Sequence, residues 1–370
     1  MKKTVIIIRW VVGLLFIFSG LVKANDPLGL SYKMQEFFEA WGWNGLHDFT
    51  LPVSIAMNVF EVVAGVAIII GWRMKLFSWL LLLLIIFFSF LTGYAMFSGK
   101  IKTCGCFGDC LPLTPAQSFT KDIILLVLIL FIFIRRNKIS SSIKPLTATG
   151  LLSVCTAAVI FLQFYVLKHL PLADCLPYKA GNNLLQQMQP PPGAVPDSTV
   201  LIFKYKKDGK YFEFTEETLP EDIDSYEFVD RIDKVIRKGN DTPPISDLAF
   251  FSETGTDTTI NILSQPGYYV LLMAKDFSAE HKWNNVTLGG LKQILADKKI
   301  PLFIVTADKQ KGEKFVSENK NITLLLCDAT VIKTAARVNT TYFIMHGADV
   351  KAKFSFEDLG NNFNKIKGLQ

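Results

Sequence analysis

Residues 76–97 read LFSWLLLLLIIFFSFLTGYAMF, without a single charged side chain. About 20 apolar residues carry a helix across a bilayer, and inside lipid only a helix or a closed barrel satisfies every backbone polar group. The run predicts a transmembrane helix, and its neighbours repeat the pattern over residues 4–22, 51–72, 115–135 and 146–168. The span at 115–135 has a short apolar core, Ile123 to Ile134. It reaches full length only if its helix starts at Thr114-Pro115, an N-cap followed by proline at the first helical position. Past about residue 170 the composition becomes that of a soluble domain.

The chain has 370 residues, with 39 Lys and Arg against 33 Asp and Glu, a net charge of +6. The basic residues gather at helix ends, which gives no support for nucleic-acid binding and makes the lipid bilayer the first partner. Lys2, Lys3, Arg73, Lys75, Arg135, Arg136, Lys138 and Lys144 fall on one side of the predicted spans. On the other side Lys23, Lys33, Lys100 and Lys102 are offset by Asp26, Glu36, Glu39, Asp48 and Asp109. The positive-inside rule then predicts a cytoplasmic N-terminus. Loops 23–50 and 98–114 and everything after His169 are expected outside, which for a bacterial inner membrane is the periplasm. The first span, with Lys2-Lys3 ahead of it and Val22-Lys23-Ala24 behind, also fits a signal peptide, but Arg9 inside the run and its length favour an uncleaved helix.

Three of the six cysteines fall in residues 104–110, CGCFGDC; the others are Cys155, Cys175 and Cys327. The loop is predicted to lie in a compartment where disulfides persist, so redox chemistry ranks above packing. Cys104 and Cys106 are the candidate redox pair. One intervening glycine allows a disulfide only in a small, strained ring, which makes the bond labile. The helix starting near Thr114 points its positive end at the loop and favours thiolate. Cys110 and Cys175 form either a structural disulfide or a resolving pair; the plainer reading is a loop merely stapled by disulfides. No metal site is expected, because C-x-C-x3-C is not the usual zinc spacing and a periplasm is a poor place to keep four thiolates reduced. Cys155 and Cys327 read as apolar filler.

Two resemblances follow from longer stretches. Arg9-x3-Gly13-x2-Phe16-x2-Ser19-Gly20-x2-Lys23-x2-Asp26-Pro27, Glu61-x3-Gly65 with Gly71, and Cys104-Gly105-Cys106-Phe107-Gly108-Asp109 resemble the DoxX/MauE membrane proteins, the last being similar to the CGCFG motif of the MauE branch. The resemblance covers about residues 4–136. It implies a four-helix bundle tied to disulfide or electron-transfer steps outside the cytoplasmic membrane. Ile245-Ser246-Asp247-Leu248, Gly255-Thr256-Asp257-Thr258-Thr259 and the strand order from Tyr268 resemble a thioredoxin-like fold of the TlpA/peroxiredoxin type over about residues 245–358. That domain departs from the pattern at its chemistry. Lys275-Asp276-Phe277-Ser278-Ala279-Glu280-His281 holds no Cys-x-x-Cys, and Thr340 stands where the cis-proline would be.

The fold class expected is thus a membrane α-helical bundle of four DoxX/MauE-like helices plus a fifth, followed by a soluble α/β thioredoxin-like domain. The expected divisions are residues 1–138 (four-helix membrane domain), 139–170 (fifth span), 171–198 (linker, with Pro190-Pro191-Pro192-Gly193), 199–244 (a hairpin at Asp208-Gly209 and a mixed acidic stretch) and 245–370 (the outer domain). Within the last, strands are expected at 268–274, 301–306, 322–326, 341–346 and 350–356, and helices at 287–298, 309–319 and 329–337.

Ionisable groups inside a span are costly and usually pair. Arg9 and Glu61 are expected to pair and to fix the first two spans, with Lys23 as an interfacial anchor. Trp10, Trp41, Trp43, Trp72 and Trp79 read as interfacial too. His281 and His346 have no metal-ligand or nucleophile–base partners in the sequence. The leading functional expectation is a component of a periplasmic thiol redox pathway using Cys104 and Cys106. A membrane quinone is its candidate electron carrier, and a periplasmic thiol protein its candidate partner. The alternatives are a non-catalytic scaffold or maturation factor with structural loop cysteines, and a transporter supported only by Arg9 and Glu61.

Overall fold

The fold is taken from a computed structural model of the chain, which describes residues 2–101, 105–196, 198–237 and 239–369. Five helical segments are long and apolar enough to cross a membrane: 3–25, 45–70, 74–98, 115–138 and 145–169. The bundle is built from α1 (Lys2–Asn25), α2 (Pro27–Ala40), α3 (Thr50–Ile70), α4 (Met74–Ser98), α5 (Pro115–Arg135) and α6 (Pro145–His169). Thr114 and Gln117 close a reciprocal capping box at the start of α5, with Pro115 at the first helical position.

Glycine sets how closely α1 and α3 approach. A Cβ on Gly65 would stand 2.6 Å from the Gly13 carbonyl oxygen, and one on Gly13 would strike Ile69. Only glycine admits that approach. The antiparallel register it fixes decides which polar groups meet along the two helices.

The segment 23–50, expected as a loop, contains helix α2. Its start is written in Asp26-Pro27: the Asp26 carboxylate accepts from the Gly29 N–H at 3.1 Å, and Pro27 occupies the first turn. Phe37 is buried on α2, and Trp41 packs among Phe37, Phe90 and Tyr94. Trp41 is therefore part of an aromatic cluster and not a simple interfacial anchor.

Outside the bundle lie α7 (Leu184–Gln187) and a three-stranded antiparallel sheet. Its strands are β1 (Ser198–Lys207), β2 (Lys210–Thr215) and β3 (Glu227–Arg237), in the order β2-β1-β3. Asp208 and Gly209 both have positive φ, 53° and 76°, as a two-residue hairpin turn requires. β3 falls in the stretch read as mixed and acidic; its apolar residues, Phe228, Val229, Ile232 and Ile236 among them, are split between both faces by charged ones, so no clean alternation of period two marked it. Val195 and Asn240 exchange two hydrogen bonds, of 2.7 and 2.9 Å, so the sheet is an excursion whose ends meet.

The remaining elements are α8 (Thr259–Leu263), β4 (Tyr268–Met273), α9 (Glu280–Trp283), α10 (Val286–Asp297), β5 (Leu302–Thr306), α11 (Lys309–Glu318), β6 (Thr323–Leu326), α12 (Ala329–Ala336), β7 (Thr341–His346), β8 (Asp349–Ser355) and α13 (Phe363–Lys367). The sheet order is β6-β5-β4-β7-β8, with β4, β5 and β6 parallel and β7 antiparallel to both its neighbours. β5 is buried along its whole length, as a strand covered on both faces must be. One face packs against Leu288, Leu291, Leu295, Phe315 and Ile366, and the other against Leu263, Ile332 and Ala335. Ile366 belongs to α13, a closing helix that the sequence reading did not find.

Residues 171–198 do not behave as a linker throughout. Tyr178 and Leu184 are core residues of the outer domain, and the Gly181 and Leu184 N–H groups bond to Val350 O and Ala348 O, each at 2.8 Å. Composition marked this stretch as polar and proline-rich, but its apolar residues have a sheet edge to cover. Leu184→Ala should destabilise the outer domain by about 2–5 kcal/mol, the usual range for emptying a buried leucine site. Chemical denaturation followed by tryptophan fluorescence measures it; a change within about 0.5 kcal/mol would return the segment to linker status.

Candidate functional site

The glycine-set register of α1 and α3 decides the charge pairing. Arg9 lies level with the C-terminal end of α3, where its Nε and Nη2 donate to Ile68 O at 2.8 Å and Ile69 O at 2.6 Å. It supplies side-chain donors to carbonyls in the last turn of α3, where Ile68 O also accepts from the Gly71 N–H at 3.2 Å. Glu61 lies about two turns away along α3, opposite Ser19 and Lys23. The expected Arg9–Glu61 pair is therefore replaced by a Lys23–Glu61 ion pair, with the two side chains 3% and 0% exposed. Lys23 is a buried partner, not an interfacial anchor. The Ser19 hydroxyl bridges outward, at 2.9 Å from Glu61 Oε2 and 3.1 Å from the Cys106 carbonyl oxygen.

A second ion pair stands across the bundle on α5. Lys121 Nζ is 2.7 Å from Asp122 Oδ1, and Thr92 of α4 donates to Asp122 Oδ2 at 3.1 Å. Lys121 also lies 5.1 Å over the Phe107 ring of the cysteine loop. Sequence reasoning missed Lys121, Asp122 and Thr92. The rule applied to Arg9 and Glu61, that a charge inside a predicted span is there for a reason, pointed equally at Lys121 and Asp122.

Between these pairs is a cavity of about 100 Å³. Its walls are mainly apolar and aromatic, with Phe38, Trp41 and Phe88 among them, and Lys23, Thr92, Lys121, Asp122 and Cys106 also line it. Cys106 is a free, partly buried thiol. Burial holds its pKa above the ordinary value; the Lys121 and Lys23 ammonium groups act against that without overcoming it. Cys104 lies outside the described residues. Cys110 and Cys175 are joined by a disulfide that ties the loop to the chain just past α6. Cys155 on α6 and the buried Cys327 are free. Among the described residues no cluster of three or more His, Cys, Asp or Glu could hold a metal ion.

The outer domain sits on the loop through charge. Arg337, buried, has a positive φ of 53° and pairs with Asp26 at 2.8 Å and with Asp109. Lys353 pairs with Asp174 at 2.7 Å, and His169 lies 2.9 Å from Asp358. Lys275, in the stretch that lacks Cys-x-x-Cys, donates to Arg337 O at 2.5 Å and lies 3.4 Å from the Tyr32 hydroxyl of α2. Thr340 follows a cis peptide bond two residues beyond Val338. His346 packs against Tyr268.

Residues 1–135 match the family model for the methylamine utilisation protein MauE, so the chain carries a MauE-family domain over its first four spanning helices. Residues 199–238 match a domain of unknown function (DUF8463), a range that coincides with the three-stranded sheet. No curated relative and no solved structure matches the chain.

Two outcomes test this geometry. Glu61→Gln leaves the Lys23 charge buried without a counter-charge and should cost about 3–5 kcal/mol. Lys23→Met with Glu61→Leu should recover most of that loss in thermal unfolding of the purified membrane protein; additive losses would mean the two do not act as a pair. The second concerns Lys275, whose pKa burial lowers to about 8. From about pH 8 to about pH 10 the unfolded chain holds a proton that the folded chain has lost, so stability contributed by this site rises with pH. The thermal midpoint of the wild type should gain on that of Lys275→Met over this window, and parallel curves would exclude the effect.

Proposed function

We propose that the protein is a membrane component of a thiol–disulfide redox pathway outside the cytoplasmic membrane, in which Cys104 and Cys106 pass between dithiol and disulfide. The observation that carries this reading is the location of Cys106. It is a free thiol on the wall of an apolar cavity within the bundle, between two buried ion pairs, while Cys110 and Cys175 are already joined to each other. The MauE match over residues 1–135 agrees with a membrane component of a redox or maturation pathway, and the CGCFG run is in keeping with the MauE branch.

Closing a dithiol to a disulfide releases two electrons and two protons. Lys121, Asp122 and Lys23 line the cavity beside Cys106 and are the charged groups nearest the thiol that such a step would meet. The cavity suits a membrane quinone: Phe38, Trp41 and Phe88 offer faces for a flat ring, and Lys121 and Thr92 offer donors for its carbonyl oxygens. A quinone bound there would supply the sink for both electrons and both protons.

The excess of Lys and Arg on one side supports a cytoplasmic N-terminus, and the Cys110–Cys175 disulfide fits an external loop. The outer domain, residues 245–370 with the core of 171–198, is read as thioredoxin-like. Its order β6-β5-β4-β7-β8 and helices on both faces support that. Without cysteines at 275–281 it recognises and positions; a periplasmic thiol protein is the partner it would serve. The scaffold reading draws on one observation, the ion-paired seating of a domain without redox cysteines on the loop.

Thiol trapping in intact cells separates these readings. Cys104 and Cys106 should change redox state when the membrane's electron supply is altered, and a state indifferent to it removes the relay. A folded Cys104→Ser/Cys106→Ser variant with a normal phenotype would favour the scaffold. Within the relay, Lys121→Met removes a cation that favours thiolate and should slow maleimide alkylation of Cys106 roughly tenfold near neutral pH.

A further inference from the structure

The two cysteines of the disulfide are each preceded by an aspartate, and both aspartates are occupied by the outer domain. Asp109 precedes Cys110 and pairs with Arg337; Asp174 precedes Cys175 and pairs with Lys353 at 2.7 Å. The disulfide brings the two Cα atoms to 4.8 Å across 65 residues of sequence, and so ties together the two segments that carry these aspartates. The outer domain offers a matching feature. Arg337 and Lys353 are both buried in these contacts, and the Arg337 charge weighs against that of Lys353. Two buried cations held together require both anions in place, since one unpaired charge at such a site costs several kcal/mol.

The disulfide is also reachable. Cys175 lines an open groove of about 860 Å³ that runs between the cysteine loop and α12, with Asp109 and Pro112 on one wall and Thr330, Val331 and Thr334 on the other. Arg337 follows directly on α12. A molecule entering this groove meets Cys175 and Asp109, one residue from each side of the disulfide-linked contact.

We propose that Cys110–Cys175 is a second redox site, a disulfide presented to external dithiols, whose reduction unlatches the outer domain from the cysteine loop. One thiolate of the dithiol attacks a sulfur of the pair and forms a mixed disulfide, and the second thiol displaces it. The dithiol leaves as a disulfide, and Cys110 and Cys175 each gain one hydrogen. Asp109 and Asp174 then belong to separate segments, and Arg337 keeps Asp26 but loses the disulfide's hold on its second carboxylate, Asp109. The proposal stands apart from the relay at Cys104 and Cys106, and it gives the domain without a Cys-x-x-Cys a redox-dependent position.

The test uses the full-length Cys104→Ser/Cys106→Ser chain in lipid nanodiscs, so that the relay does not enter, with dithiothreitol as the dithiol. Hydrogen exchange is followed by mass spectrometry. Reduction should speed exchange at least tenfold across residues 26–33, 275–279 and 337–340, while β4 and β7 keep their protection. Arg337→Gln/Lys353→Gln, with the disulfide intact, should do the same without reductant. Unchanged exchange in a chain whose Cys110 and Cys175 are shown by mass to be thiols overturns the proposal. So does a loss of protection that extends to β4 and β7, which would make the disulfide a stabiliser of the whole domain.

Discussion

A carboxylate inside a spanning helix must be neutralised by the protein itself, and the rest of the membrane domain is arranged around that demand. Glu61 is fully buried, and lipid offers it no counter-ion. The glycine contact between α1 and α3 fixes which α1 side chains stand opposite it, and these are Ser19 and Lys23. Ser19 carries the constraint on to the backbone of Cys106. The Cys106 backbone is therefore linked through Ser19 to a buried charge pair inside the bundle, independently of the Cys110–Cys175 disulfide.

The second set of charges is outside and obeys different energetics. Arg337 and Lys353 can be solvated when free, so their burial against Asp26, Asp109 and Asp174 is a reversible expenditure of hydration for contact. Pairs of this kind confer specificity of seating more than raw affinity. That distinguishes the two halves of the chain: the inner charges hold a fixed scaffold, and the outer ones define a docked position.

Much of this architecture was legible in the sequence. Apolar runs of spanning length gave the five helices, and Thr114-Pro115 gave the start of α5 to the residue. The strands of the larger sheet stood out because its central strands are continuous apolar runs. What failed did so for identifiable reasons. The partner of Glu61 depends on the relative register of two helices, which two glycines set through space and no local pattern records. Helix α2 was hidden because Asp26-Pro27 was read only as part of a family signature, when it is also a capping pair. Strand β3 divides its apolar residues between both faces, which leaves no clean alternation to read, and Leu184 sits in a polar surrounding that disguises its role in the core. Lys121 and Asp122 were overlooked within a span whose length was already in question.

The hydrogen-bonded closure between Val195 and Asn240 has a consequence for how this protein came to be. A segment whose two ends are stitched together can be gained or lost as a unit, since the host domain meets the same pair of chain ends either way, and the entropy of closing a longer or shorter excursion varies only slowly with its length. The separate family match over residues 199–238 traces the same boundary. The three-stranded sheet is accordingly a self-closed unit that meets the outer domain at one pair of chain ends, so a change of length within it leaves the host's backbone path unaltered.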